Sequence, residues 1–328
     1  MGALIDWNVF DTNVREGSLR KVNEIIALWN ANSGGALRLS TFAFAGGLFS
    51  QIKWDIDDHV DLTDIYTANT AATPNTLGTA KQNTVKFFFE TGLYQVEGAE
   101  LSWIEENEDR AVAEVSTKIA EFVFRKYLFQ LITVMVNTYE DNSDVLNDES
   151  AVSGAGFSQE GLNRSYALFS DRSGALVSQI MYGTAKHKLI GDALANGNAL
   201  FTAGDVTVID IQGKKTIVTD CPALIDSVAV PAEYKCLILT DMAGEVFETG
   251  DFKVVVEGDK TGNHRLYTNI QGEGSASMRL KGYSYDAAVG TASPTSTELE
   301  TGASWVRYVD SLKESGGVLY IGAQVDNA

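Results

Sequence analysis

The chain has 328 residues, of which 45% are hydrophobic, so it is a folded protein with length for about two domains. Its formal net charge of −19 at pH 7 excludes a protein that grips nucleic acid through phosphates, because that needs clustered Lys and Arg. No stretch approaches ~18 uninterrupted apolar residues, and Met1–Asp6 lacks a basic segment followed by an apolar run. Neither a membrane span nor a signal peptide is expected.

The N-terminal region, residues 1–46, is predicted to contain one helix and one short strand. Apolar residues recur at helical spacing at Leu19, Val22, Ile25, Ile26 and Trp29. Ser33-Gly34-Gly35 would end that helix. Leu37, Leu39 and Thr41 then alternate with polar residues, which predicts a strand.

Residues 47–97 predict a long hairpin that extends from the chain. Ile52, Trp54 and Ile56 alternate with charged residues, and Val85, Phe87 and Phe89 do the same on a returning strand. The segment between the strands is mostly Thr, Asn, Ala and Gly, as expected of a hairpin tip. Since a lone two-stranded hairpin is marginal in water, we expect a neighbouring copy to cover its aromatic face.

A very long helix is predicted from about residue 105 to 139. Its first turn is rich in carboxylates, which favour the positive end of the helix dipole: Glu105, Glu106, Glu108 and Asp109. Apolar residues follow at spacings of three and four from Val112, and after Phe122 the apolar face widens. Roughly thirty-five residues would span about 52 Å. This length favours an assembling structural protein, and the alternative is the core helix of an ordinary α+β enzyme.

The remainder predicts a linker, a small α/β subdomain and a final set of strands. Residues 140–163 are polar and glycine-rich, which indicates a linker or mobile loop. Within 164–235 the predictions are a strand at Tyr166–Phe169, a helix through Leu176, Ile180 and Met181 capped by Asp171 or Ser173, and a hairpin of Val206–Ile209 with Thr216–Thr219. Residues 236–328 return to strands at Cys236–Leu239, Phe252–Val256 and Val318–Ile321.

Catalytic and ligand motifs fail on spacing. Gly154-Ala155-Gly156 lacks a preceding strand and a third glycine, and Gly258-Asp259-Lys260-Thr261 is better explained as a hairpin turn than as a phosphate loop. Three scattered histidines make a catalytic triad improbable: His59, His187 and His264. We therefore expect no catalytic residue, no cofactor and no enzymatic turnover.

Two further features have structural explanations that we prefer. Asp55, Asp57, Asp58, His59 and Asp61 could hold a divalent cation, but a solvated acidic strand edge is favoured. The same holds for the acidic group Asp141, Asp144, Asp148 and Glu149. Cys221 and Cys236 are interpreted as small buried residues, although the sequence leaves a disulfide between them open.

The order of these elements resembles the major capsid proteins of tailed bacteriophages, the Hong Kong 97-type fold shared with encapsulins. Leu168–Ser173 is similar to the family's strand-then-helix entry to the axial (A) domain, and Gly213–Pro222 is similar to a later family strand. The resemblance implies an α+β fold in five parts. These are an N-terminal arm (1–46), an extended E-loop (47–97), a peripheral P-domain with the spine helix (98–163), an A-domain (164–235), and the remaining P-domain strands (236–328).

The resemblance also implies a function and partners. The chain would assemble with itself into the hexamers and pentamers of an icosahedral phage head that encloses double-stranded DNA. A separate scaffolding protein, a portal and possible decoration protein would be its partners, with procapsid maturation, non-specific contact to DNA, no membrane contact, and assembly in the bacterial cytoplasm. An encapsulin-like compartment shell and a phage tail or baseplate component are the alternatives.

We predict two sets of subunit contacts. On the E-loop they are the aromatic residues Trp54, Phe87 and Phe89, because buried aromatics tend to dominate interface energetics. In the polar loop that we predict for residues 183–205 they are Lys186, Lys188 and Asp192, whose opposite charges can meet between adjacent copies.

Overall fold

The computed structural model describes residues 7–42, 44, 46–55, 78–97, 108–152, 156–195, 210–211, 214–259 and 267–324. These parts contain five α-helices: α1 (Trp7–Asn32), α2 (Glu108–Glu140), α3 (Gln159–Ala167), α4 (Gly183–Ala195) and α5 (Ser296–Leu299). They also contain sixteen strands: β1 (Leu37–Thr41), β2 (Leu48–Asp55), β3 (Gly78–Glu90), β4 (Tyr94–Glu97), β5 (Leu146–Asp148), β6 (Leu176–Met181), β7 (Asp210–Ile211), β8 (Lys214–Val218), β9 (Ile225–Asp226), β10 (Glu233–Thr240), β11 (Gly244–Glu248), β12 (Lys253–Asp259), β13 (Tyr267–Leu280), β14 (Tyr283–Tyr285), β15 (Trp305–Arg307) and β16 (Gly317–Ala323).

The first sheet is built around β13, its longest strand, in the order β1-β11-β13-β3-β2. β11 and β12 pair with β13 along one side, and β3 and β4 pair with it along the other. β2 and β3 are antiparallel from Leu48↔Val85 to Asp55↔Gly78, which confirms the predicted E-loop strands within the residues described. β12 and β13 form the hairpin expected around Gly258, whose tip lies outside those residues.

The second sheet has the order β5-β16-β10-β6-β8-β7, with β9 added to β10. It therefore joins strands of residues 176–218 to strands from before and after them. β7 and β8 form part of the predicted hairpin, whereas 206–209 lie outside the described residues. Three aromatic rings lie in the core beside this sheet: Phe157 stacks on Tyr320 and meets Tyr234 edge-on.

The long helix α2 has 33 residues and packs against α1 and both sheets. Its second half is buried on most sides, as predicted, with Leu131, Val134 and Met135 inaccessible to solvent. Gly244 opens β11 beneath it. A Cβ there would lie 2.9 Å from Leu131 Cδ1 and 3.0 Å from Met135 Sδ, so the absence of a side chain lets helix and strand approach. None of the helices described is long and apolar enough to cross a membrane.

The outer edge of β1 is closed by side chains of α1. The Asn30 amide donates to the Leu39 carbonyl at 2.6 Å and accepts from the Leu39 N–H at 3.1 Å. Trp29 Nε1 donates to the Leu37 carbonyl at 3.1 Å. These bonds occupy backbone groups that an open edge would offer to another strand. The N-terminal helix thus protects one end of the first sheet.

Three local predictions between residues 140 and 181 are wrong. Tyr166 and Ala167 belong to helix α3, and the predicted helix through Ile180 is strand β6, which is preceded by a 3₁₀ turn at Ser170–Ala175. β6 is a central strand between β10 and β8, and side chains on both of its faces are buried, so its apolar residues do not alternate. The stretch 140–163 is no loose linker in its described parts, because it contributes β5 and the buried side chains of Val145 and Phe157.

Candidate assembly surfaces

The strands of the predicted hairpin turn one face of β3 toward the long helix. Phe87 is fully buried, and Phe89 is 6% exposed, with its ring 5.3 Å from that of Tyr127 on α2 and 6.1 Å from that of Phe252. The prediction that these two phenylalanines lack a partner within their own chain and so contact a neighbour is therefore wrong. They belong to the core because α2 packs on this face of β3.

The opposite face of β3 carries the aromatic side chain that remains exposed. Phe88 is 59% exposed, and Lys86 Nζ lies 5.6 Å from its ring centroid. A hollow of about 820 Å³ beside Phe88 is lined by Glu90, Lys253 and Glu273 among others. The run Phe87-Phe88-Phe89 could have indicated this residue, because three consecutive apolar residues in a strand cannot all face one side.

Other apolar side chains near the E-loop are also exposed. Ile52 on β2 is 68% exposed, Leu93 is 61% exposed and Tyr94 on β4 is 56% exposed. Trp54 lies on β2, and its side chain is outside the described residues. Of the acidic group at 55–61, the described part includes only Asp55, the last residue of β2.

Two carboxylates at the connection between β11 and β12, Glu248 and Asp251, have pKa values shifted in opposite directions. Burial would raise the pKa of Asp251, but hydrogen bonds from Ser275 and Thr249, with Lys86 Nζ 3.6 Å away, hold that pKa below its ordinary value. Burial and the neighbouring Asp251 raise the pKa of Glu248. Glu248 therefore contributes stability below its unfolded pKa that is lost as pH rises through its folded pKa, and Asp251 shows the reverse dependence.

The predicted polar loop of residues 183–205 begins with helix α4, so that prediction is wrong for 183–195. Ala185 and Leu189, four residues apart, anchor the helix to the second sheet. Lys186 and Lys188 are both half-buried on α4, and Asp192 lies on its last turn with a side chain outside the described residues. Positions two apart on a helix point in different directions, so the two lysines do not face the same way.

A groove runs along the middle of α2, on the less buried side of the helix. It consists of two hollows of about 640 Å³ each that share Phe122, Arg125 and Phe129. The Arg125 guanidinium lies 5.2 Å from the Phe129 ring centroid, over its face. Pro222 and Ala223, which precede β9, form the facing wall of one hollow. Neither Arg125 nor this groove was singled out from the sequence.

The cysteines are buried and unpaired with one another, which confirms the structural interpretation of both. Burial raises the pKa of each thiol, which opposes formation of the reactive thiolate. Among the residues described, no group of three His, Cys, Asp or Glu side chains is placed to hold a metal ion. The described surfaces around β3, α4 and α2 are therefore interpreted as areas for contact with another protein.

Several solved structures have a fold similar to that of this chain. The capsid of Ralstonia phage GP4 has a TM-score of 0.54 and 9% identity over 90% of this chain and 89% of that one. The capsid of Helicobacter pylori bacteriophage KHP30 has a TM-score of 0.54 and 9% identity over 89% of each chain, and that of cyanophage Pam1 has 0.52 and 13% over 86% and 87%. At such identities the likeness shows the fold alone, which is the α+β, Hong Kong 97-type fold of tailed-phage capsid subunits.

The family is shown by sequence. The Gp13-like family, described as major capsid protein 13-like, matches residues 6–319, nearly the whole chain. The chain belongs to this family and is a major capsid protein of a tailed phage, a structural protein that assembles with itself into the virion shell. A comparison with curated proteins finds no match.

Proposed function

We propose that the chain closes into pentamers and hexamers that build an icosahedral phage head around double-stranded DNA. The family match over residues 6–319 carries this proposal. A closed shell needs rings, and a ring needs a head-to-tail interface repeated about an axis. Electron microscopy of the expressed chain, with any co-encoded scaffolding protein, tests it. We expect closed particles with rings of five and six, and open tubes would contradict the proposal.

The E-loop, residues 47–97, is the element that reaches a neighbouring subunit. Its support is the exposed apolar surface of its strands, where Phe88 and Ile52 stand in place of the buried Phe87 and Phe89. Trp54, near the end of β2, keeps its proposed role as a contact. Aromatic side chains that become buried at an interface commonly contribute most of its energy.

The subdomain of residues 164–235 is the A-domain, which surrounds the five- and six-fold axes. A boundary at 235 would cut β10, so we extend this unit to include β10 and the adjacent β16. Lys186, Lys188 and Asp192 on α4 are its proposed contacts between adjacent copies. Each surface pair would contribute only about 0–1 kcal/mol, so their role is to set the register of the ring.

The rest of the chain takes the other parts of the fold. Residues 1–46 are the N-terminal arm, residues 98–163 form the P-domain with the spine helix, and residues 236–328, apart from β10 and β16, complete the P-domain. α2 is the described part of that spine helix. Its 33 residues correspond to about 50 Å, enough to span a subunit and support the long strands beside it.

The partners follow from charge and from the shell itself. With a net charge of −19, the inner face meets DNA without sequence preference, and counterions rather than this chain neutralise most phosphates. A separate scaffolding protein, a portal and possible decoration proteins complete the head, which assembles in the host cytoplasm. No catalytic turnover and no cofactor are part of this function.

A further inference from the structure

The most exposed large hydrophobic side chains of the described chain stand together on one turn. Val230 is 98% exposed and Val228 is 88% exposed, between strands β9 and β10. The turn is braced, because Asp226 Oδ1 accepts from the N–H groups of Val228 at 2.9 Å and Ala229 at 3.2 Å. The Ala232 carbonyl also accepts from the Gln324 N–H at 2.6 Å. The valines are thus presented on a fixed backbone.

This turn borders the groove beside α2. Ile225 and Asp226, which lead into the turn, line the same hollow as Phe122 and Phe129. A projecting apolar turn and an aromatic-lined hollow are therefore side by side on one face. Such a face is self-complementary when a second copy turns to meet it, because each turn can then lie against the other copy's groove.

The charge of the groove identifies the partner as another copy of this chain. Four cationic and four anionic side chains line the two hollows: Lys118, Arg125, Lys126, Lys235, Glu121, Asp220, Asp226 and Glu300. The groove is therefore locally neutral, although the whole chain carries −19. Two copies that each carry −19 repel each other on average, so a face with no net charge opposes their approach less than an acidic one would.

We propose that the turn Val228–Pro231 and the groove of Phe122, Arg125 and Phe129 form a contact between two neighbouring copies in the shell, with each turn in the other copy's groove. This contact rests on the proposed assembly into shells and names one of its interfaces. The turn lies in the part of the 164–235 unit that borders α2, so this contact belongs to the spine-helix side of the subunit and not to the ring axes. Closed icosahedral shells contain two-fold relations between neighbouring rings, and the self-complementary face suits them.

Polar, uncharged substitution on the turn tests the contact. Because their side chains are almost wholly exposed, Val228→Asn and Val230→Asn should leave the urea unfolding curve of the free subunit unchanged. Both should lower the yield of shells by at least ~10-fold, since apolar contact is lost and the introduced amide must be desolvated in the groove. Val289→Asn, at a valine that is 58% exposed elsewhere, is the matched control and should assemble normally. Normal shells from Val230→Asn would overturn the contact.

Cross-linking identifies the occupant. Subunits with Val230→Cys are co-assembled with subunits with Lys126→Cys, in the groove, and oxidised; Cys221 and Cys236 are buried and give little background. We expect dimers that need both variants, and none when Val289→Cys replaces Val230→Cys. A product that joins Val230→Cys to a scaffolding protein instead would overturn the assignment to a second copy. If the unsubstituted chain forms no shells at all, the proposed function fails, whereas shells without these dimers sink only the contact.

Discussion

Phe87 and Phe88 are neighbours on β3 that face opposite sides of the first sheet, so alanine at each position should separate folding from assembly. Phe87 is 0% exposed, and replacing a buried phenylalanine by alanine costs about 3–5 kcal/mol of unfolding free energy. Phe88 is 59% exposed, so about two fifths of a burial energy of ~2.5 kcal/mol is at stake, or about 1 kcal/mol. Phe88→Ala should nevertheless reduce shell formation, because its ring is proposed to contact a neighbour.

The assay is urea unfolding of unassembled subunits at neutral pH, read by two probes whose transitions must coincide. Phe87→Ala should move the midpoint far to lower urea with an unchanged slope, and Phe88→Ala should move it slightly. Shell yield is then measured by sedimentation and electron microscopy under conditions in which both variants are folded. Equal destabilisation by the two substitutions would refute the placement of these side chains on opposite faces. Normal shell yield from Phe88→Ala would refute its role as a contact.

Three further results are expected. Deleting residues 58–77 should leave a soluble subunit with an unchanged unfolding midpoint that makes no shells, and intact particles would show that the E-loop is dispensable. Glu248→Gln and Asp251→Asn should show opposite pH dependence of unfolding free energy. As pH falls from neutral toward ~4.3, the ordinary pKa of Glu, the unsubstituted protein should gain stability relative to Glu248→Gln; as pH falls below ~3.9, the ordinary pKa of Asp, it should lose stability relative to Asp251→Asn. Parallel curves would contradict the pKa directions. Replacing Lys186 and Lys188 by Glu should reduce the yield of rings in native mass spectrometry while the melting temperature of the subunit changes little. An unchanged ring yield would place α4 away from the axes.

The elements that the sequence predicts well are those with one buried face. β1 and β3 alternate because one side meets the core, and α2 shows a stripe that widens where more neighbours surround it. β6 failed for the opposite reason. It lies between two strands and is covered on both faces, so Leu176, Ile180 and Met181 fall by chance at helical spacing. The spacing of apolar residues shows which sides of an element are buried. It distinguishes a helix from a strand only when at least one side of the element is exposed.

The candidate surfaces were harder to predict, because exposure depends on residues far away in the chain. The alternation in β3 separates Phe87 and Phe89 from Phe88, yet only the packing of Tyr127 decides which face is covered. Val228 and Val230 are two residues apart, a spacing that would also fit an ordinary strand. Nothing in the local sequence indicates that both belong to a turn between β9 and β10 and are exposed to solvent. A sequence pattern gives the two sides of an element, and the fold decides which side remains for a partner.

Charge and apolar exposure have separate roles in the assembly of such a subunit. Repulsion between chains of −19 acts over a Debye length of ~8 Å at physiological salt, so it controls how often two copies meet and responds to ions. Apolar contact acts only when surfaces touch, so Phe88 and the turn at Val228–Pro231 can select a geometry but cannot attract a distant copy. We therefore propose that salt or a basic partner controls when assembly begins, and that the placement of a few exposed apolar side chains controls which shell results.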